Sequence, residues 1–161
     1  MNNKTIGTDL ADLNYNFCDS LITKKIPLGK ISLTKQVQLF LFNSNDIALE
    51  IFDGLADKYL HDNEQKILQQ RKKQLAKQEF IISRILIKQL VTLQSNTALN
   101  SIEIRFNQQK LLLEVYILNI LQPITVSLSH SRGLIFIALS AQSDISLGVD
   151  IEIFNLKKEV N

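Results

Sequence analysis

The sequence of 161 residues is poor in several residue types that would restrict its fold or its function. It contains one cysteine (Cys18), two prolines, five glycines and no tryptophan. A single cysteine excludes an intramolecular disulfide framework, and we interpret Cys18 as a structural thiol of a protein in a reducing cytosol. Few prolines and glycines, together with 45% hydrophobic residues, exclude a disordered or low-complexity chain. We therefore expect a globular protein.

The sequence also lacks the usual marks of a membrane or nucleic-acid-binding protein. No apolar run approaches the roughly 20 residues that span a bilayer. The start, "MNNKTIGTDLADLNYN", lacks the basic and then apolar pattern of a signal peptide. The formal net charge of +2 is too small to indicate a nucleic-acid partner. We expect a soluble cytoplasmic protein that binds neither membranes nor nucleic acid.

The length allows one domain with a real core, or two small lobes that share one. Residues 1–30 are polar and weakly patterned, and we assign them to a loose N-terminal arm. Residues 31–161 are assigned to a single domain.

The pattern of the domain changes from strand to helix and then to strands. "VQLFLF" (37–42) predicts a short strand. From about Asp57 the chain lacks Gly and Pro up to "SNTALN" (95–100), which predicts one long helix or two consecutive ones. Five strands are predicted after that, with a tight hairpin at "SRG" and another at "AQSD": 101–106, 111–117, 124–130, 134–140 and 146–152. This order predicts an α+β fold with helices packed on one face of an antiparallel sheet.

Two carboxylates in the last predicted strand, "SLGVDIE", form a candidate metal site. Alternation along a strand would turn Asp150 and Glu152 to the same face, about 7 Å apart. Like charges at that distance repel unless a cation neutralises them, and Mg²⁺ typically binds one or two carboxylates together with waters and substrate phosphates. Gly148 leaves room for a ligand. A solvated strand face without a ligand is the simpler interpretation of the pair.

A histidine and an arginine add candidate phosphate contacts. His130 closes an apolar strand among Ser127, Ser129 and Ser131, with no pattern of a nucleophilic serine triad around them. Arg84 interrupts the apolar run "FIISRILI" in a stretch rich in basic residues, and a partly buried cation usually has an anionic partner. A cation site, a histidine and basic residues together favour a phosphate-bearing ligand. A structural histidine and a solvated basic helix face are the alternatives.

The stretch "VSLSHSRGLIFIALSAQSDISLGVDIE" resembles the central signature of the 4′-phosphopantetheinyl transferases of the surfactin-synthetase type. In that family a Ser-His element ends one strand, and G-[VI]-D-x-E closes a later one. "FIISRILIKQL" resembles the family's helix upstream. The resemblance spans residues 57–152 and covers the N-terminal half of the family's fold only.

The resemblance implies a reaction and a set of residues. The family transfers the 4′-phosphopantetheine arm of coenzyme A (CoA) to a serine of an acyl or peptidyl carrier protein. Asp150 and Glu152 would bind Mg²⁺, and Ser129 and His130 would contact the phosphates of CoA. Arg84 would support the phosphate region of CoA. Lys110 would lie near the nucleotide, although the Gly-Lys-Pro pattern of the family is reduced to Lys110 in "NQQKL".

The second half of the family's fold, with its further acid and its Lys-Glu helix after a tryptophan, has no counterpart here. Lys158 and Glu159 follow the acidic strand directly, and we interpret them as part of a charged tail. The general base is therefore not identified, and activity would require a C-terminal-half polypeptide or self-association. A non-catalytic module or truncated relic that binds CoA or a carrier protein stays open as an alternative. A Mg²⁺-dependent phosphoesterase is the other.

Overall fold

The computed structural model describes residues 31–32, 37–47, 49–142 and 144–153. The predicted N-terminal arm (1–30), Cys18 and the charged tail with Lys158 and Glu159 lie outside these residues. Three helices and seven strands are formed within them. The helices are α1 (Leu49–Tyr59), α2 (Asp62–Gln69) and α3 (Gln74–Ser95). The strands are β1 (Ile31–Ser32), β2 (Val37–Asn43), β3 (Ile102–Asn107), β4 (Leu112–Ile117), β5 (Ile120–Leu121), β6 (Thr125–Ser131) and β7 (Leu134–Ser140).

The strands form one antiparallel sheet in the order β1-β2-β7-β6-β4-β3, with the short β5 paired to β4. β6 and β7 form a hairpin in full register from Thr125–Ser140 to Ser131–Leu134. β4 and β6 pair only at Leu113 and Val126. The predicted α+β class, with helices packed on an antiparallel sheet, is therefore confirmed. The predicted strands at 37–42, 101–106, 111–117, 124–130 and 134–140 all form, with ends shifted by at most one residue.

The long helix α3 forms the centre of the core. Its middle is buried at consecutive positions on every side, because α1 and α2 cover one face and the sheet covers the other. Ile82, Ile85 and Ile87 are nearly or fully inaccessible to solvent. The helix ends at Asn96, a residue that tolerates the left-handed conformation it adopts there (φ 52°).

The helical region differs from its prediction in number and in start. Helix formation begins at Leu49, upstream of Asp57, and three helices form where one or two were expected. The break before α2 is set by a buried acid, since the backbone N–H of His61 donates to the Glu64 carboxylate at 2.9 Å. The same carboxylate accepts the N–H of Ile104 in β3 at 3.1 Å. The first contact is a local cap at the helix start, and the second holds that start against β3.

The turn between β6 and β7 is a tight two-residue connection, as the sequence predicts. Arg132 and Gly133 both have positive φ (49° and 87°), as a type I′ hairpin requires. The turn is also fixed from outside: the carbonyl of Gly133 accepts the backbone N–H and the hydroxyl of Ser44, at 2.7 and 2.8 Å. A Cβ at position 133 would collide with the side chain of Asn45, so only glycine fits there.

The last predicted strand, 146–152, is wrong as a strand. Residues 145–153 have no regular secondary structure. Two of the N–H groups of this segment donate to serine side chains of β6 and not to the carbonyls of a neighbouring strand. The predicted alternation nevertheless holds, because Leu147, Val149 and Ile151 are half-buried while Asp150 and Glu152 are exposed.

No helix in the described part of the chain is long and apolar enough to cross a membrane.

Candidate functional site

Two serines of β6 hold the segment that carries the predicted metal ligands. We call residues 147–153 the acidic segment. The hydroxyl of Ser127 accepts the backbone N–H of Val149 at 3.1 Å, and the hydroxyl of Ser129 accepts that of Ile151 at 3.2 Å. The step from Ser127 to Ser129 along β6 matches the step from Val149 to Ile151 along the acidic segment, so the two run in the same direction. Side chains of β6 thus fix its register, although no strand ladder forms.

Asp150 is oriented by the Ser-His strand. Its Oδ1 accepts the hydroxyl proton of Ser129 at 3.0 Å and the N–H of Ile151 at 2.9 Å. Asp150 and Glu152 are both exposed, and a Cβ added at Gly148 would meet no atom within 4 Å. The structure therefore brings together Ser129 and Asp150 from two separate parts of the motif, beside open space.

The donor set suits a hard divalent cation with few protein ligands. Asp150 and Glu152 offer carboxylate oxygens, which Mg²⁺ prefers, and their exposure leaves room for waters and substrate oxygens. Within the described ranges, no group of three or more His, Cys, Asp or Glu side chains is placed to hold a metal. A cation at this site would therefore have at most these two carboxylates from the described residues.

His130 is positioned by a residue that sequence reasoning missed. Its Nδ1 lies 2.9 Å from Oε2 of Glu79, a carboxylate of α3 that is only 5% exposed. The other oxygen of Glu79 accepts the N–H of Gly133 at 2.7 Å. Glu79 thus fixes both the imidazole and the hairpin turn. Because Nδ1 faces the carboxylate, the imidazole is oriented with Nε2 on its far side. No pattern around "KQEF" signals this role, because the partners lie more than 50 residues away.

Ser129 and His130, which are neighbours on β6, have different partners. His130 contacts α3 through Glu79, whereas Ser129 contacts the acidic segment. Neighbouring residues on a strand point to opposite faces. The Ser-His element therefore binds Asp150 through Ser129 and the buried Glu79 through His130.

Arg84 is more deeply buried than an ordinary surface cation, with 5% of its surface exposed. Its guanidinium lies 4.7 Å from the centre of the Phe80 ring. Nε and Nη1 have no hydrogen-bond partner among the described residues. Burial lowers the pKa of Arg84 to about 10, with Glu64 opposing that shift and Arg71 adding to it. The group therefore keeps its charge at neutral pH.

Lys110 is held in a turn by local contacts. It follows Asn107 and Gln109 in the β3–β4 turn, where the side chain of Asn107 accepts the N–H of Lys110 at 3.0 Å. Its ammonium lies 3.5 Å from Glu114 and is largely exposed. The structure gives Lys110 a surface ion pair, which contributes at most about 1 kcal/mol.

A cavity of about 460 Å³ lies between the α1–α2 connection and β3. It was not predicted from the sequence. Its charged lining includes Lys58, Asp62, Glu103 and Arg105. Arg105 donates to Glu103 and to the side-chain oxygen of Asn119 at 2.7 Å. The two signs are balanced there, so this cavity gives no strong indication of a ligand.

Comparison with models of known protein families and with curated protein sequences yields no match. The resemblance to the 4′-phosphopantetheinyl transferases therefore depends on the sequence motifs alone.

Proposed function

We propose that this chain takes part in transfer of the 4′-phosphopantetheine arm of CoA to a serine of an acyl or peptidyl carrier protein, with Mg²⁺. The observation that carries the proposal is the 3.0 Å hydrogen bond from Ser129 to Asp150. It joins the Ser-His element and the Gly-Val-Asp-Ile-Glu element, which are separated by a complete hairpin in the sequence. A solvated strand face would not require this contact.

Asp150 and Glu152 are the proposed ligands of Mg²⁺, which when bound would neutralise and polarise the pyrophosphate of CoA. Ser129 holds the Asp150 carboxylate in place, as a hydrogen-bonding partner commonly does for a metal ligand. Ser127 fixes the backbone of the acidic segment at Val149. The chain thus contributes a preorganised Asp150 carboxylate, which lowers the cost of assembling a charged site.

His130 is the proposed phosphate contact. Glu79 holds one ring nitrogen, so the other is presented in a fixed orientation and the side chain remains about one-third exposed. Lys110 is proposed as a further CoA contact, and only the family resemblance supports this role. Arg84 faces an apolar cavity, and its ligand is considered separately below.

The residues that complete the site are proposed to come from a partner. The described residues supply no third acid beside Asp150 and Glu152, and we assign no general base. A second copy of this chain or a separate polypeptide would supply both groups. We propose the cytoplasm as the location, because CoA and carrier proteins are the reactants. The phosphoesterase alternative gains no support, since it too needs a third acid at the pair.

The test is the intact mass of apo carrier proteins of the fatty-acid, polyketide and nonribosomal-peptide types after incubation with the chain, CoA and Mg²⁺. If a second copy of the chain completes the site, we expect a gain of one phosphopantetheine on at least one carrier, and its loss in Asp150→Ala and Glu152→Ala. Ser129→Ala should reduce transfer more than Ser127→Ala, because only Ser129 contacts Asp150.

Calorimetry of CoA binding separates the remaining outcomes. Binding that requires Mg²⁺ and Asp150, without transfer, would indicate a non-catalytic module or an enzyme that lacks its partner. The proposal would be overturned if the chain showed no transfer and no Mg²⁺-dependent binding of CoA.

A further inference from the structure

A second cavity of about 240 Å³ opens where β4 and β6 separate. The two strands pair only at Leu113 and Val126, and residues on one side of that pair line the cavity. The lining side chains are aliphatic apart from Phe106 and two polar side chains, Arg84 and Ser127. Its aliphatic residues include Leu112, Leu113, Leu128 and Leu147. The cavity therefore combines an apolar wall with one buried cation.

No acid among the described residues forms an ion pair with Arg84. The acid that acts on it electrostatically is Glu64, but this carboxylate already binds Lys88 at 2.6 Å. It also accepts the backbone N–H groups of His61 and Ile104. Glu64 therefore accepts three hydrogen bonds, and none of them comes from the guanidinium.

A second guanidinium increases the positive potential beside the cavity. Arg71 lies 4.7 Å from the centre of the same Phe80 ring as Arg84. Its Nε also has no hydrogen-bond partner within the described ranges. Two arginines that share one ring, with the neighbouring acid already bound to a lysine, leave a net positive site. A buried charge of this kind is costly unless an anion pairs with it.

We propose that this cavity binds an amphiphile with a single anionic head group, such as an aliphatic carboxylate or an alkyl phosphate. The guanidinium of Arg84, which lines the cavity, would donate to the head group, since guanidinium binds carboxylate and phosphate well. The leucines would pack against the aliphatic chain, as apolar walls do in most small-molecule sites. This ligand is distinct from CoA, and its site does not include the acidic carboxylates.

The test is isothermal calorimetry on the full chain with octanoate, octyl phosphate and octanol. We expect an anionic amphiphile to bind about tenfold or more tightly than octanol, because a hydrogen bond to a charged group adds at least that much. Arg84→Met should remove the preference for the anion. Lys110→Met, which removes a cation outside the cavity, should leave it unchanged.

Two further variants make the result specific to the cavity. Leu147→Trp should block octanoate by filling the apolar space while Arg84 remains. Asp150→Ala should leave octanoate binding intact, although it should abolish Mg²⁺-dependent binding of CoA. Failure of one proposal is therefore distinguishable from failure of the other.

The relative affinities identify the source of the head group. Tighter binding of octanoate indicates a carboxylate, and tighter binding of octyl phosphate indicates a phosphate ester. Equal affinity for octanol and both anions, unchanged binding in Arg84→Met, or no binding of any of the three would overturn the proposal.

Discussion

Lys88 and Arg84 are two buried cations one turn apart on α3, and they have opposite surroundings. The ammonium of Lys88 donates to the Glu64 carboxylate and to the carbonyl of Tyr59, both at 2.6 Å. The guanidinium of Arg84 stacks on Phe80 and leaves two nitrogens without partners in the described structure. A buried charge with a complete set of partners stabilises one arrangement of the fold. A buried charge without them indicates a site for a ligand.

Loss of Lys88 should give the largest effect. Lys88→Met would leave the carboxylate of Glu64, which is fully buried, without its cation. We expect the free energy of unfolding to fall by about 3–5 kcal/mol. Urea denaturation measures this loss, with the exposed Lys72→Met as the control that should change little.

The double variant Lys88→Met with Glu64→Gln should recover part of that loss, because it removes the uncompensated charge. A loss for Lys88→Met no greater than for Lys72→Met would mean that the ion pair is unimportant, and the contrast with Arg84 would disappear.

Loss of Arg84 should have a smaller effect of the opposite sign on the ligand-free protein. Arg84→Met keeps most of the buried side-chain volume and removes two unsatisfied donors. We expect the free energy of unfolding to stay the same or to rise by about 1 kcal/mol, since unsatisfied buried donors cost roughly that amount. The same denaturation experiment measures it. A loss as large as that of Lys88→Met would show that Arg84 has an internal partner and is not a ligand site.

The ion pair of Arg105 and Glu103 should give the smallest effect. Arg105 is about one-third exposed and Glu103 is buried, so the pair is less buried than that of Lys88 and Glu64. The hydrogen bond from Arg105, more than any other contact, holds the pKa of Glu103 below its ordinary value of 4.5, while burial opposes the shift. The folded state therefore binds fewer protons than the unfolded state, and the stabilisation is present above pH 4.5 and lost as the pH falls through the lowered pKa.

Relative to Glu103→Gln, the protein should be more stable by less than about 1 kcal/mol at neutral pH, because Arg105 is about one-third exposed to solvent. Thermal unfolding of both proteins at neutral pH and at steps below pH 4.5 measures the difference. An advantage that stays constant over this range would contradict the assigned cause.

The acidic segment shows what local pattern can and cannot predict. The alternation of "LGVDIEI" predicts which residues are half-buried and which are exposed, because it depends only on side-chain polarity. It does not predict that the segment lies outside the strand ladder. That outcome depends on Ser127 and Ser129, whose hydroxyls bind the N–H groups that a neighbouring strand would otherwise bind.

The sequence by itself determined the α+β class, the main strands, the β6–β7 turn and the exposure of Asp150 and Glu152. These features follow from local polarity, turn chemistry and the order of elements. It did not determine the helix boundaries or the role of Glu79, because Glu64 and Glu79 find their partners far along the chain.

Only the tertiary structure distinguished Arg84 from Lys88. Both interrupt one apolar run, "FIISRILIKQL", and look equivalent there. The fold places Glu64, 24 residues earlier, against Lys88 and leaves Arg84 facing a cavity between two diverging strands. The difference arises because the energy of a buried charge depends on the groups around it in space, which the neighbouring residues in sequence do not specify.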